Sequence, residues 1–348
     1  MDKETLLKLL DNITEDSKPV EKATFNKHDR VLVIDGLNLF LRNFSVLNYI
    51  NQDGVHIGGL GGFLRSLGSL INTNKPTSVY IVFDGVGSSI NRKNLLPEYK
   101  SGRNFTRITN HIGFEDIDDE QDSKVNQITR LIHYLKCLPV NLISLDKVEE
   151  DDIIAHLSNY MSTKYNSKIT IVSADKDFLQ IVNDNITVYS PIIKEFYTPK
   201  AVKEKFGLPA YNFILYKTLM GDNSDKVVGV PGLGPKKLFK LFPELVDSKI
   251  TLEDIFEISA VKYKENVLYS KIILEEEKLR NNYKIMNLGN PLMDEDEKLY
   301  VEAIVEQPIE KLKVAEFIKL YNEDGLGNIL KNVDYWIRNT FTVLSSFK

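Results

Sequence analysis

The pattern of apolar and polar positions changes character at Arg30. Before it, TLLKLLDNI has the spacing of a short amphipathic helix and EDSKPVEKATFNKHD reads as a polar linker, so residues 1–29 form an N-terminal arm. From Arg30 onward, unbroken apolar runs alternate with helix-period segments. VLVID, VYIVFD, PVNLISL, ITIVSAD and NITVYSP read as strands. Residues 58–71, residues 124–136 and DDIIAHLSNYMSTKY read as helices. The alternation predicts an α/β core over residues 30–196, with a mostly parallel central sheet flanked by helices. Residues 85–123 interrupt it with no convincing strand, and an insertion of that length in a compact domain is functional or disordered. After residue 197 the strands stop. YNFILYKTLMGD, KKLFKLF, TLEDIFEI and SKIILEEEKLRNNYKIMNL predict a mainly helical region over 197–348, least regular in 292–348.

Composition narrows this picture. The hydrophobic fraction of 43% supports a true core, and no apolar run approaches membrane-spanning length. The N-terminus lacks a basic start and apolar stretch, so a cytoplasmic protein is expected. One cysteine, Cys137, excludes an internal disulfide and a cysteine zinc site; it reads as a semi-buried helix residue. Five scattered histidines without ligand spacing exclude histidine–zinc chemistry. The net charge of −5 argues against a nucleic-acid binder unless metal offsets the acids.

Nine acids stand where apolar segments meet loops. Asp35, Asp84, Asp175 and Asp177 close predicted strands; Glu149, Asp151 and Asp152 open a helix; Asp222 and Asp225 follow one. A carboxylate at the end of a buried strand is costly unless a cation or donor receives it. Alone, Asp35 or Asp84 reads equally well as a helix or turn cap. Together the nine suit two or more hard divalent ions, which prefer oxygen ligands. A pair of such ions holds the attacking water and leaving oxygen of phosphodiester hydrolysis. On a parallel sheet, Asp35, Asp84, Asp175 and Asp177 lie beyond the carboxyl ends of the strands, where ligands bind.

Two basic segments join them. GVPGLGPKKL places tight turns before a helix that opens at Pro235. The N–H groups of Gly232, Leu233 and Gly234, with Lys226, Lys236 and Lys237, suit a nucleic-acid backbone gripped without base readout. This is the helix-hairpin-helix pattern. In NRKNLLPEYKSGR, Arg92, Lys93, Lys100 and Arg103 would hold a strand by charge, and Tyr99 would stack a base.

DGLN (35–38), FDG (83–85), PEYKSGR (97–103), EEDD (149–152), SADKDFLQ (173–180) and GDNSDKVVGVPGLGPKK (221–237) resemble, in order, the motifs of the 5′-nucleases, the flap endonucleases and 5′-3′ exonucleases of phages and bacterial DNA polymerase I. The resemblance implies a PIN-like α/β fold, a helical arch at about 85–123 and a helix-hairpin-helix near 221–240. It implies a first metal among Asp35, Asp84, Glu149, Asp151 and Asp152, and a second among Asp175, Asp177, Asp222 and Asp225. The ions would be Mg²⁺, with Mn²⁺ substituting, and a K⁺ ion at the hairpin. Lys100, Arg103 and Arg92 would contact the scissile phosphate. The implied substrates are DNA with a 5′ flap or 5′ end and RNA/DNA primer junctions. The implied task is primer and flap removal in replication, by a free-standing phage-type monomer working beside proteins such as a single-strand-binding protein. Glu150 stands where the family often has a small residue, which leaves open whether Glu149 or Glu150 is the ligand. The acidic run 115–122 falls where a basic arch helps thread a free 5′ end. Two rivals share part of the pattern: a junction-binding protein that has lost catalysis, and a toxin-type metal-dependent RNase.

Overall fold

Six strands pair into one sheet because their apolar runs must be covered on both faces. The computed structural model describes residues 25–102, 108–110, 114–327 and 329–347. The core elements are β1 (Arg30–Asp35), α1 (Gly36–Val46), α2 (Gly58–Asn74), β2 (Ser78–Val82), α3 (Ile90–Leu95), α4 (Ile117–Leu135), β3 (Asn141–Ile143), α5 (Glu150–Tyr165), β4 (Lys168–Val172), β5 (Ile186–Ser190) and β6 (Glu195–Tyr197). The sheet order is β3-β2-β1-β4-β5-β6, parallel throughout except β6. The chain builds outward from β1 to β3, then returns to β4 on the other side. The strand order therefore reverses between β1 and β4, the switch point at which open α/β sheets bind ligands.

Alternation along β1 feeds two cores. Leu32 and Ile34 face α1, α2 and α4, whereas Val31 and Val33 face α5. The turn from β1 into α1 is tight: a Cβ on Gly36 would lie 2.6 Å from the Val82 carbonyl oxygen.

The second half contains α6 (Pro199–Phe206), α7 (Phe213–Met220), a two-residue hairpin of β7 (Gly221–Asp222) and β8 (Val227–Val228), then α8 (Pro235–Leu241) and α9 (Glu244–Asp247). It continues through α10 (Leu252–Val261), α11 (Val267–Leu274), α12 (Glu276–Met286), α13 (Glu295–Glu306), α14 (Val314–Glu323) and α15 (Val333–Phe341). Helices α7, α8 and α10–α12 share a third core around Leu238, Phe242 and Ile255. Helices α13 to α15 return to the sheet layers instead: Val301 and Val305 join the α5 side, and Phe317, Ile337 and Phe341 join the α1–α2 side.

The acidic run 115–122 opens α4. Asp116 caps α4, and Asp118, Asp119 and Glu120 lie in its first turn, where the helix dipole favours negative charge. Among the described residues of 85–116, the one helix is the six-residue α3. The arm's last residues are docked rather than loose. Lys27 Nζ donates to the carbonyls of Val305, Glu306 and Gln307, and His28 stacks on Tyr165 at 3.9 Å. The amphipathic segment TLLKLLDNI lies outside the described residues.

Candidate metal centre and nucleic-acid interface

The acids gather at the switch point. Asp35 ends β1 and caps α1, accepting from Asn38 N at 2.9 Å, while its other oxygen accepts from Ser173 Oγ at 2.7 Å. Cap and site are thus the same carboxylate. Ser173 follows β4, and its Oγ accepts the Asp175 N–H at 3.0 Å. Asp84, just past β2, accepts the backbone N–H of Glu150 at 3.0 Å.

The run Glu149–Asp152 splits by helical phase. Glu149 and Asp152, three apart, share one face. That face meets the segment 92–100. The Glu149 carboxylate receives Tyr99 OH at 3.0 Å, Lys100 Nζ at 3.0 Å and Arg92 Nη1 at 3.1 Å. Asp152 forms a two-pronged ion pair with Arg92, one prong Nη2–Oδ1 at 3.0 Å, and also accepts Leu292 N–H at 3.0 Å. Arg92 Nε donates to the Ile285 carbonyl at 2.9 Å.

Glu150 and Asp151 turn the other way, into the acid cluster. Burial first, then Asp35, Asp84 and Asp151, push the Glu150 carboxyl well above its ordinary range. Burial first, then Asp175 and Asp35, do the same to Asp151. Burial pushes Asp35 up to about 6 despite its donors. Glu150 Oε2 is buried without a hydrogen-bond partner. Of Glu149 and Glu150, the latter faces Asp35 and Asp84.

The second group is tighter. Asp177, Asp222 and Asp225 each bring one oxygen to within 4.8 Å of the others. Burial and then Asp175 raise Asp177 to about 7, against the pull of Lys217. Burial alone would raise Asp222, but Lys217 and Ser224 hold it far below the usual carboxylate range. Lys217, 7% exposed, inserts between Asp177 and Asp222, pairing with Asp222 at 2.8 Å and more closely with Asp177. A cleft of about 440 Å³ opens onto Asn38, Asp175, Asp177, Lys217 and Asp222.

The remaining expected residues divide. Lys100 stays at the rim: burial opposes its charge, but Glu149 and Asp151 hold its ammonium above its ordinary pKa. Its backbone takes a left-handed φ of 53°, and its N–H donates to Asp225 O at 3.1 Å. Arg92, expected at the scissile phosphate, is 5% exposed and consumed by Asp152 and Glu149. Tyr99, expected to stack a base, is 2% exposed among Ile214, Val227, Ile285 and Met286, so its ring is unavailable. Lys93 is exposed. Arg103 lies outside the described residues. In the glycine loop, the Leu233 N–H is spent on Val230 O at 3.1 Å, and its side chain is buried. Among the described residues, the Gly232 and Gly234 N–H groups have no acceptor. Lys226 and Lys236 are exposed, and Lys237 Nζ folds back to the Gly232 carbonyl at 2.9 Å.

Sequence reasoning missed Lys217 and Ser173. A lone lysine inside the apolar ILYKTLM and a hydroxyl two residues before Asp175 were the available signals.

An α/β sheet with a carboxylate-rich cleft at its switch point, beside an exposed basic hairpin loop, defines the acid-lined nuclease class. The comparisons agree. The 5′-3′ exonuclease N-terminal resolvase-like domain matches residues 30–207. DNA polymerase I of Bacillus subtilis is 34% identical over 245 residues, 68% of this chain and 26% of that protein. The chain thus spans about a quarter of that polymerase's length. A 5′-3′ exonuclease of Aquifex aeolicus is 29% identical over 308 residues, 87% of this chain and 94% of that one. The bacteriophage T5 flap endonuclease, solved as a pseudo-enzyme–product complex with DNA and metal ions, shares the fold with a TM-score of 0.62 at 18% identity, over 85% of this chain and 99% of that one. The chain belongs to the 5′-3′ exonuclease family.

The donor set fits hard divalent cations. The carboxylates turned into the cleft offer oxygen, one buried oxygen of Glu150 lacks a partner, and three acids converge within 4.8 Å around the Lys217 ammonium.

Proposed function

We propose that this chain is a Mg²⁺-dependent, structure-selective 5′-nuclease that hydrolyses phosphodiesters at 5′ ends and single-strand/duplex junctions. The observation that carries the reading is the convergence of Asp35, Asp84, Glu150, Asp151 and Asp175, continuous with Asp177, Asp222 and Asp225, at the β1/β4 switch point. The first set would hold one divalent ion and the second set another. When bound, such ions supply Lewis-acid activation of water and neutralise charge at the leaving oxygen.

The protein's own groups do the rest. Lys100, fixed by Glu149 beside Asp151, presents an ammonium to the phosphate next to the cut. Asn38 and Ser173 hold Asp35 and the β4 loop in register. The Gly232 and Gly234 N–H groups, with Lys226 and Lys236, would grip the duplex backbone as a helix-hairpin-helix without reading bases. The biological role that follows is removal of RNA primers and flaps in DNA replication.

The test is cleavage of a 5′-labelled flap duplex in Mg²⁺ and in EDTA, with single-stranded RNA as a second substrate. Release of the flap in Mg²⁺ alone supports the reading. Inertness in both conditions, or preference for the RNA, sinks it.

A further inference from the structure

The glycine loop is held on its carbonyl side by cations of its own chain. Five consecutive carbonyls, Val228 to Gly232, each accept a hydrogen bond. Asn282 Nδ2 reaches Val228 O at 2.9 Å, and the Leu233 N–H reaches Val230 O at 3.1 Å. The other three take lysine ammoniums: Lys278 Nζ on Gly229 O at 3.1 Å, Lys271 Nζ on Pro231 O at 3.2 Å and Lys237 Nζ on Gly232 O at 2.9 Å.

The three lysines are not equivalent. A carbonyl and the N–H that follows it share one rigid trans plane and point in opposite directions. The plane held by Lys278 carries the Val230 N–H, spent on Leu219 O at 2.8 Å. The plane held by Lys237 carries the Leu233 N–H, spent on Val230 O. The plane held by Lys271 carries the Gly232 N–H, which has no acceptor among the described residues. Lys271 thus grips the peptide whose N–H is left for a ligand.

That peptide is the centre of a type II turn, with proline second, Gly232 third at φ +84° and the Leu233 N–H closing onto Val230 O. A type I turn differs by a flip of this central peptide. The flip would turn the Pro231 carbonyl outward, and a phosphate would meet oxygen instead of N–H. A charge-assisted bond on the carbonyl opposes the flip and polarises the N–H at the other end of the plane. Helix α11 supplies that bond from a fixed base: Leu268, Tyr269 and Ile272 are buried beside Lys271, and Tyr269 OH donates to Leu241 O at 2.8 Å. A K⁺ ion at the hairpin would need these same carbonyls. With three of them on ammoniums, a further cation would lie beside like charges, so the residues do not fit it.

We propose that Lys271 is a positioning residue for nucleic-acid binding: it fixes the Pro231–Gly232 peptide with its N–H turned outward to a backbone phosphate, and with Lys237 and Lys278 it orders the hairpin in place of a K⁺ ion. The inference rests on the nuclease reading above.

The test is fluorescence anisotropy of a labelled flap duplex in EDTA, titrated in KCl and in NaCl. Wild type binds equally in the two salts. Lys271→Met lowers affinity about tenfold at fixed salt. It leaves the slope of log affinity against log salt unchanged, because this ammonium meets a carbonyl and no phosphate. Lys271→Arg keeps a charged donor and recovers most of the affinity. Lys278→Met, on a plane whose N–H is already spent, changes affinity less than about twofold. Lys271 is part-exposed, so its variants keep the fold, which the melting temperature checks. A slope lowered by about 1 makes Lys271 a direct phosphate contact and overturns the proposal. So does unchanged affinity in Lys271→Met, an equal loss in Lys278→Met, no recovery in Lys271→Arg, or tighter wild-type binding in KCl than in NaCl. Failure of the nuclease reading shows differently, as a wild-type protein that neither binds the flap duplex nor cuts it in Mg²⁺.

Discussion

Asp152→Asn is expected to cost stability rather than metal affinity. The wild-type carboxylate meets the Arg92 guanidinium two-pronged, with side chains 5% and 2% exposed. Solvent screening therefore discounts little of the interaction. Asparagine keeps one oxygen for the Leu292 N–H but turns an amide donor toward a buried cation. Removing one partner of a buried pair costs about 3–5 kcal/mol. Glu149, 3.1 Å from Arg92 Nη1, remains as a counter-charge, which places this case near the lower end, about 3 kcal/mol. Against a total of about 5–15 kcal/mol that is a large fraction. In urea denaturation, a chain of this size with a slope of about 3 kcal/mol/M would lose about 1 M from its midpoint. Mn²⁺ affinity, read by titration calorimetry, should change less than about twofold. The paired replacement Arg92→Met with Asp152→Leu should return stability to within about 1 kcal/mol of wild type. An unmoved midpoint combined with Mn²⁺ binding weakened about tenfold would refute the reasoning and make Asp152 a ligand.

Three further outcomes follow from the site. Asp35 is an acid whose folded pKa of about 6 exceeds its reference value of 3.8, so its metal-free contribution is complete at low pH and fades as pH rises through 6. That corresponds to about 3 kcal/mol, and Asp177, raised to about 7, acts in the same direction. The gain in melting temperature on adding Mg²⁺ to EDTA-treated protein should therefore grow from acidic to mildly basic pH; a gain independent of pH contradicts this. Lys217→Met strips the cation seated between Asp177 and Asp222, so the metal-free melting temperature should fall and the stabilisation by Mg²⁺ should increase; equal shifts with and without metal would deny Lys217 that role. Lys236→Ala should weaken duplex binding uniformly across sequences and reduce the slope of log affinity against log salt by about 1, measured by fluorescence anisotropy.

The sheet was legible because its strands are buried on both faces and carry unbroken apolar runs. Asp35, Asp84, Asp175 and Asp177 were legible for the same reason: each breaks such a run at its end. The roles within Glu149–Asp152 were not. Which acid faces the cleft depends on helical phase and on Arg92, a partner 60 residues away in sequence. Tyr99 misled in a similar way. An aromatic among basic residues suggests stacking, yet its burial comes from Ile214, Val227 and Ile285, which no local pattern connects to it. The start of α4 was missed as well: Asp116, immediately before Ile117, is an N-cap residue type. Helices α13 to α15 fall in the stretch whose apolar spacing is least regular, and nothing along the chain says which surface they cover.

That last placement has a practical consequence. The backbone of Gly68 in α2 lies flat against the indole of Trp336 in α15; a methyl group at Gly68 would sit 2.6 Å from the indole nitrogen. Trp336 is the sole tryptophan, so its emission reports on one seam, where the C-terminal helices close over the first half of the protein. A fragment cut after residue 207 would bare Phe63, Leu64 and Leu67 on the side that Phe317, Ile337 and Phe341 now cover. The stretch matched by the 5′-3′ exonuclease N-terminal domain is, in this protein, a piece that borrows its roof from the far end of the chain.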